Sequence, residues 1–297
     1  MSAEVSFHLV DRIVEIDLER SVRGTFAIPP DFGRFPACLV VEAIGQLASW
    51  VAMRRTDFTR RPVAARAGEV RVLGTVAPGA ELALDARIRS CKGVAISYDG
   101  VARAGGRTIV ELEGAVGALV PMAEFEAPEE ASARFAALCG DGLPGRRFPD
   151  PAALAPRVVE REATSARTLR AVLEAPPPGA IYADHFPRRP VYPATLLLDA
   201  QLALALRLLD GDASTDTRVW DERFVGMRAR DIKVRSFTPP GGRVTISAEI
   251  GRDGSSDGVP LSAEWDEVAI AATSGDKRVS SAALLVPRTP AAPSAAS

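Results

Sequence analysis

The chain has 297 residues, 47% of them apolar and 25% charged, with a formal net charge of −2. This is the profile of a globular protein with room for two domains of ordinary size, and it excludes a general electrostatic pull toward nucleic acid or an anionic membrane surface. No apolar run reaches the ~18–20 residues of a membrane span, and the first five residues lack the basic-then-apolar order of a signal peptide. In chain order, the alternation of residues 7–18 predicts an opening strand. A loop, Pro29-Pro30-Asp31-Phe32-Gly33-Arg34-Phe35-Pro36, leads into a helix over 37–53 that is apolar almost all round, the mark of a helix buried on most sides. Strands of alternating pattern are predicted over 64–76, 81–90, 94–104 and 108–120. Residues 121–156, rich in Pro, Ala and Gly with a helical stretch near 129–138, are expected to form a linker. A strand around 167–174, a proline-rich loop over 184–193 and a second apolar helix over 194–209 follow. Strands over 226–238, 243–250, 261–273 and 278–286 complete the order. Residues 287–297, PRTPAAPSAAS, are expected to be a disordered tail.

The same order occurs twice. Pro36-Ala37-x-Leu39-x-x-Glu42-Ala43 matches Pro193-Ala194-x-Leu196-x-x-Asp199-Ala200, and residues 70–88 match residues 232–250 without a gap, with 5 of 19 positions identical and a Pro-Gly turn between strands in both. The chain is therefore expected to hold two copies of one domain, over residues 1–120 and 157–286. A long buried helix wrapped by a strongly curved antiparallel sheet satisfies each copy. The expected class is α+β, a double hotdog of two curved sheets. One chain would then supply a pseudo-dimer, with higher assembly left open. Cys38, Cys91 and Cys139 lack CxxC spacing, which argues against a disulfide framework and against a zinc site, so a reduced, cytoplasmic protein without metal is expected.

The segment Asp184-His185-Phe186-Pro187-Arg188-Arg189-Pro190-Val191-Tyr192-Pro193, with an apolar helix carrying one acid behind it, resembles the β-hydroxyacyl-(acyl-carrier-protein) dehydratases of the FabA/FabZ type, whose usual form is GHFPGxPxxPGxxxxE/D. The opening Phe7-His8-Leu9-Val10-Asp11-Arg12-Ile13-Val14-Glu15 is similar to their FLLVDRV strand, and Glu42-Ala43-Ile44-Gly45-Gln46 to their EAMAQ helix. Three motif glycines are replaced, by Asp184, Arg188 and Ala194.

The resemblance implies a (3R)-hydroxyacyl-thioester dehydratase of fatty-acid or polyketide type. It implies a substrate carried on the phosphopantetheine of an acyl carrier protein or on CoA, and no resident cofactor. In that family the histidine of one hotdog meets the acid of another, so the implied catalytic pair is His185 with Glu42 rather than with Asp199, which becomes a vestigial or structural acid. The first half offers Arg34 roughly where a histidine would stand. The division resembles the paired dehydratase subunits of aryl-polyene-type clusters, in which one partner carries HFP and the other only the helix. Gln46, one turn after Glu42, would orient its carboxyl; the N–H of Ala194 would polarise the thioester carbonyl; Phe186 and Tyr192 are candidates for substrate contact. Arg34, Arg188 and Arg189 would meet an acidic carrier or a phosphopantetheine at the mouth. His8 reads as a packed or edge histidine. Two other readings stand beside this one: a non-catalytic acyl-chain or carrier-protein binding module or partner subunit, and a hotdog thioesterase.

Overall fold

The computed structural model describes residues 6–32, 35–143, 148–149, 151–211, 224–251 and 264–288. The first half runs β1 (Arg12–Asp17), β2 (Ser21–Ala27), α1 (Ala37–Arg55), β3 (Arg60–Val72), β4 (Glu81–Lys92), β5 (Ala95–Ala104) and β6 (Arg107–Pro121). After α2 (Pro128–Cys139) and the one-turn α3 (Pro151–Leu154), the second runs β7 (Arg157–Ser165), β8 (Thr168–Glu174), α4 (Ala194–Asp210), β9 (Arg228–Val234), β10 (Arg243–Ile250), β11 (Trp265–Ser274) and β12 (Lys277–Pro287).

Among the described residues, twelve strands form one antiparallel sheet in the order β1-β2-β4-β5-β6-β3-β9-β12-β11-β10-β8-β7. Matching each strand of the first six with the strand six places later makes this order read the same from either edge. The two expected sheets are joined into one: β3 pairs with β9, setting Arg66 opposite Lys233 and Val70 opposite Ala229. Edge groups of each half that would otherwise need water satisfy one another there.

The helices lie against the same sheet and touch each other. α1 packs on β2 to β6 and α4 on β8 and β10 to β12. Both are buried along most of their length because Leu, Ile, Val and Ala occupy nearly every face. Leu39, Ile44 and Leu47 of α1 have no accessible surface, and each such side chain stabilises the fold by about 1.5–3 kcal/mol. α1 is long and apolar enough for a membrane span by length and composition, and most of it is buried inside the molecule. The close approach depends on Gly100 of β5, where a Cβ would stand 2.1 Å from Ile44 Cγ2. At the β5–β6 turn, Gly105 and Gly106 adopt φ of 54° and 79°, the pair of left-handed residues that a two-residue hairpin needs.

Several expectations shift. Residues 7–10 lie outside β1, and β2 and β7 were not predicted. The described residues of 121–156 are packed rather than bare connection: Met122, Phe125, Ala131, Leu138 and Leu154 are buried. The predicted tail lies outside the described residues from position 289 onward, as do Arg34 and residues 261–263 of a predicted strand.

Candidate active site

The loop before α4 is fixed by its own bonds. The Val191 N–H donates to the His185 carbonyl at 3.4 Å, the Arg188 N–H to the Phe125 carbonyl at 2.9 Å, and the Tyr192 N–H to the Thr238 carbonyl at 2.8 Å. The imidazole of His185 closes the same loop, with Nδ1 2.9 Å from the Val191 carbonyl oxygen. A carbonyl only accepts, so Nδ1 carries the proton and Nε2 of the neutral ring keeps its lone pair. Burial pushes the His185 pKa below its ordinary 6.5, against an opposing pull from Glu42. The ring stacks on Phe186 at 4.3 Å and meets Phe7 edge-on at 5.4 Å.

His185 Nε2 faces Glu42 Oε1 of α1 at 3.9 Å, the two side chains being 12% and 17% exposed. Both carboxylate oxygens of Glu42 are held. Gln46 Nε2 donates to Oε1 at 3.1 Å, and Thr195 Oγ1, from the start of α4, donates to Oε2 at 2.9 Å. The amide of Gln46 is itself oriented, because its Oε1 accepts from the Leu9 N–H at 2.9 Å while its Nε2 reaches the Phe7 carbonyl at 3.2 Å. Asp184 fastens the same segment from the loop side. It accepts from Ser6 Oγ at 2.6 Å and from the Phe7 N–H at 2.9 Å, and lies 3.4 Å from His8 Nε2. Phe7 thus lies between the loop that carries the imidazole and the amide that holds the acid.

These groups open on one cavity of about 140 Å³, lined among others by His185, Glu42, Gln46, Phe186, Tyr192 and Ala194. Ala194 opens α4 after Pro193, which supplies no side-chain cap, so its N–H has no protein acceptor among the described residues. Tyr192 contributes its ring only, since its hydroxyl donates to the Leu154 carbonyl at 2.7 Å. Arg188 and Arg189 are not in the lining. Arg188 Nη1 donates to the Ala123 carbonyl at 3.1 Å and Arg189 pairs with Glu124 at 3.2 Å. Among the described residues no group of three His, Cys, Asp or Glu side chains is placed to hold a metal ion.

Asp199 belongs elsewhere. It lines a second, mostly apolar cavity of about 40 Å³ together with Cys38 and Thr195. The Cys38 thiol hydrogen-bonds Asp199, and burial pushes that thiol well above its ordinary pKa. Cys38 and Thr195 are the second residues of α1 and α4, so each helix start bonds the acid of the other helix. Both histidines of the chain line the first cavity.

Four residues at the site were not singled out from sequence: Thr195, Asp184 as a ligand of the 6–8 segment, Arg61 and Tyr98. Only Asp184 carried a signal, as a replaced motif glycine.

A family model described as a FabA-like domain matches residues 1–113. Curated proteins give no match. Among solved structures, one described as an oleoyl thioesterase from Lactobacillus plantarum is similar over 91% of this chain and 97% of its own, at 12% identity and a TM-score of 0.54. A TesB protein from Mycobacterium avium subspecies paratuberculosis is similar over 93% and 95%, also at 12% identity, with a TM-score of 0.52. The fold is of the hotdog type, and at these identities the likeness to the two structures extends to the fold alone.

Proposed function

We propose that the chain is a (3R)-hydroxyacyl-thioester dehydratase built as a double hotdog, acting on acyl groups carried by a carrier protein or CoA and giving a trans-2-enoyl thioester. The observation that carries this reading is the facing of His185 Nε2 and Glu42 Oε1 at 3.9 Å over one cavity, each from a different half of the chain. The strand order that reads alike from both edges supports two copies of one hotdog.

The thioester carbonyl makes the adjacent C–H acidic, and neutral His185 takes that proton at Nε2. The electron pair left behind forms the Cα–Cβ double bond as the Cβ–O bond breaks, and Glu42 gives the departing hydroxyl its proton, so that water leaves. The Ala194 N–H, at the positive end of α4, supports the negative charge that builds on the carbonyl oxygen. Transfer of a proton from the imidazolium to the Glu42 carboxylate restores both groups. The substrate brings its own pantetheine arm, and the chemistry needs no resident cofactor. Asp199, in a cavity that holds neither histidine, is read as a vestigial acid bonded to Cys38.

Thioester hydrolysis, the activity named for the Lactobacillus plantarum protein, would use Glu42 with a water and gives no reason for an imidazole locked at Nδ1. Incubating the purified protein with 3-hydroxyacyl and trans-2-enoyl pantetheine thioesters separates the readings. Interconversion with the thioester intact is expected. Release of free thiol without interconversion would make the chain a hydrolase, and binding without either reaction would make it an acyl-binding module.

A further inference from the structure

The wall of the main cavity carries charge that the proposed chemistry does not use. Arg61, near the start of β3, lines it together with Glu126 and Arg134. Arg61 Nη1 donates to Glu126 Oε1 at 2.7 Å and Arg134 Nη1 to Glu126 Oε2 at 3.0 Å. Two guanidinium groups therefore share one carboxylate that is 2% exposed. The Arg61 side chain is 14% exposed, lies 4.1 Å above the Phe186 ring, and makes no other hydrogen bond among the described residues. Its Nε is buried without a partner, and Nη2 has no protein acceptor among the described residues. Burial lowers Arg61 to about 10, which leaves it charged at neutral pH but poorly solvated. The Tyr98 hydroxyl, beside Gly45 on the same wall, also lacks a protein partner among the described residues.

A groove for a plain alkyl chain has no use for such groups. Unmet donors beside a buried ion pair are costly unless a ligand supplies acceptors, and the Glu42 carboxyl in the same lining is already held by Gln46 and Thr195. Asp184 does not supply them, since Ser6, Phe7 and His8 take up its oxygens. A carboxylate does, because Nη2 of Arg61, whose Nη1 is already engaged by Glu126 and whose Nε is buried, still presents N–H groups to a carboxylate oxygen.

We propose that the groove takes acyl thioesters whose acyl chain itself bears a carboxylate, with Arg61 as the residue that selects it. This rests on the acyl-thioester reading of the cavity, and deepens it by naming the substrate class.

The test compares 3-hydroxyacyl pantetheine thioesters ending in a methyl group with partners of matched length ending in a carboxylate, over a series of chain lengths. Wild-type kcat/KM is expected to favour the carboxylate member by about 10- to 100-fold at its best length, the range of one hydrogen bond to a charged group. Arg61→Met should bring the ratio to about one, and Arg61→Lys should restore part of it. Analogues without the 3-hydroxyl group, which cannot lose water, give the same comparison by calorimetry and so keep this proposal separate from dehydration. A carboxylate preference in binding without turnover would sink the catalytic reading and leave this one standing. No preference in the wild type, or an equal loss for both members in Arg61→Met, would overturn it.

Discussion

Thr195 Oγ1 donates to Glu42 Oε2 at 2.9 Å, linking the first turn of α4 to the acid of α1. With Gln46 on the other oxygen, the carboxyl plane of Glu42 is held toward His185. Thr195→Val keeps the shape and removes the donor. It is expected to lower kcat about tenfold with little change in KM, the size of one hydrogen bond to a charged group, and Thr195→Ser should recover most of the loss. Steady-state kinetics on the three proteins check this; an unchanged kcat in Thr195→Val would remove Thr195 from the site's support.

The pH dependence follows from burial of His185. In the proposed reaction the base works as neutral imidazole, and burial lowers the His185 pKa, so the neutral form persists to lower pH than for an exposed histidine. Activity should therefore fall only as pH drops through a value below about 6.5. A kcat/KM profile against pH locates this limb. A limb above the ordinary histidine value would mean that Glu42, not burial, dominates the imidazole.

Gly100→Ala tests the seat of α1. The added Cβ would meet Ile44 Cγ2 at 2.1 Å, and Ile44 has no accessible surface. Overpacking of this kind destabilises by about 1–3 kcal/mol, which thermal or denaturant unfolding would register. Stability unchanged within a few tenths would show that α1 can slide away from β5.

The sequence made the two helices legible, because their apolar residues fill nearly every face: the expected 37–53 and 194–209 are close to Ala37–Arg55 and Ala194–Asp210. β2 was hidden by Gly24, which breaks its pattern. The same glycine is needed for packing, since a Cβ there would stand 2.6 Å from the Arg12 carbonyl oxygen and 2.9 Å from Leu47 Cδ1. β7 is an edge strand, and its charges suit an edge but mask its pattern. Residues 7–10 read as strand yet are not, because the N–H groups of Phe7 and Leu9 go to the side chains of Asp184 and Gln46. Such partners, far apart in sequence, leave no local trace. The pairing of β3 with β9 is equally silent, since each strand alone alternates in the ordinary way. At the site, the spacing within the second half pointed to Asp199. The duplication together with the family resemblance pointed to Glu42, which is the acid that the fold sets beside His185.

The central claim is that base and acid come from different halves of the chain. It is tested most directly by turnover of 3-hydroxyacyl thioester in Glu42→Gln and Asp199→Asn, with His185→Ala as the reference for a dead site. Glu42→Gln is expected to fall to the level of His185→Ala, while Asp199→Asn keeps most of the wild-type rate. An inactive Asp199→Asn beside an active Glu42→Gln would contradict the account.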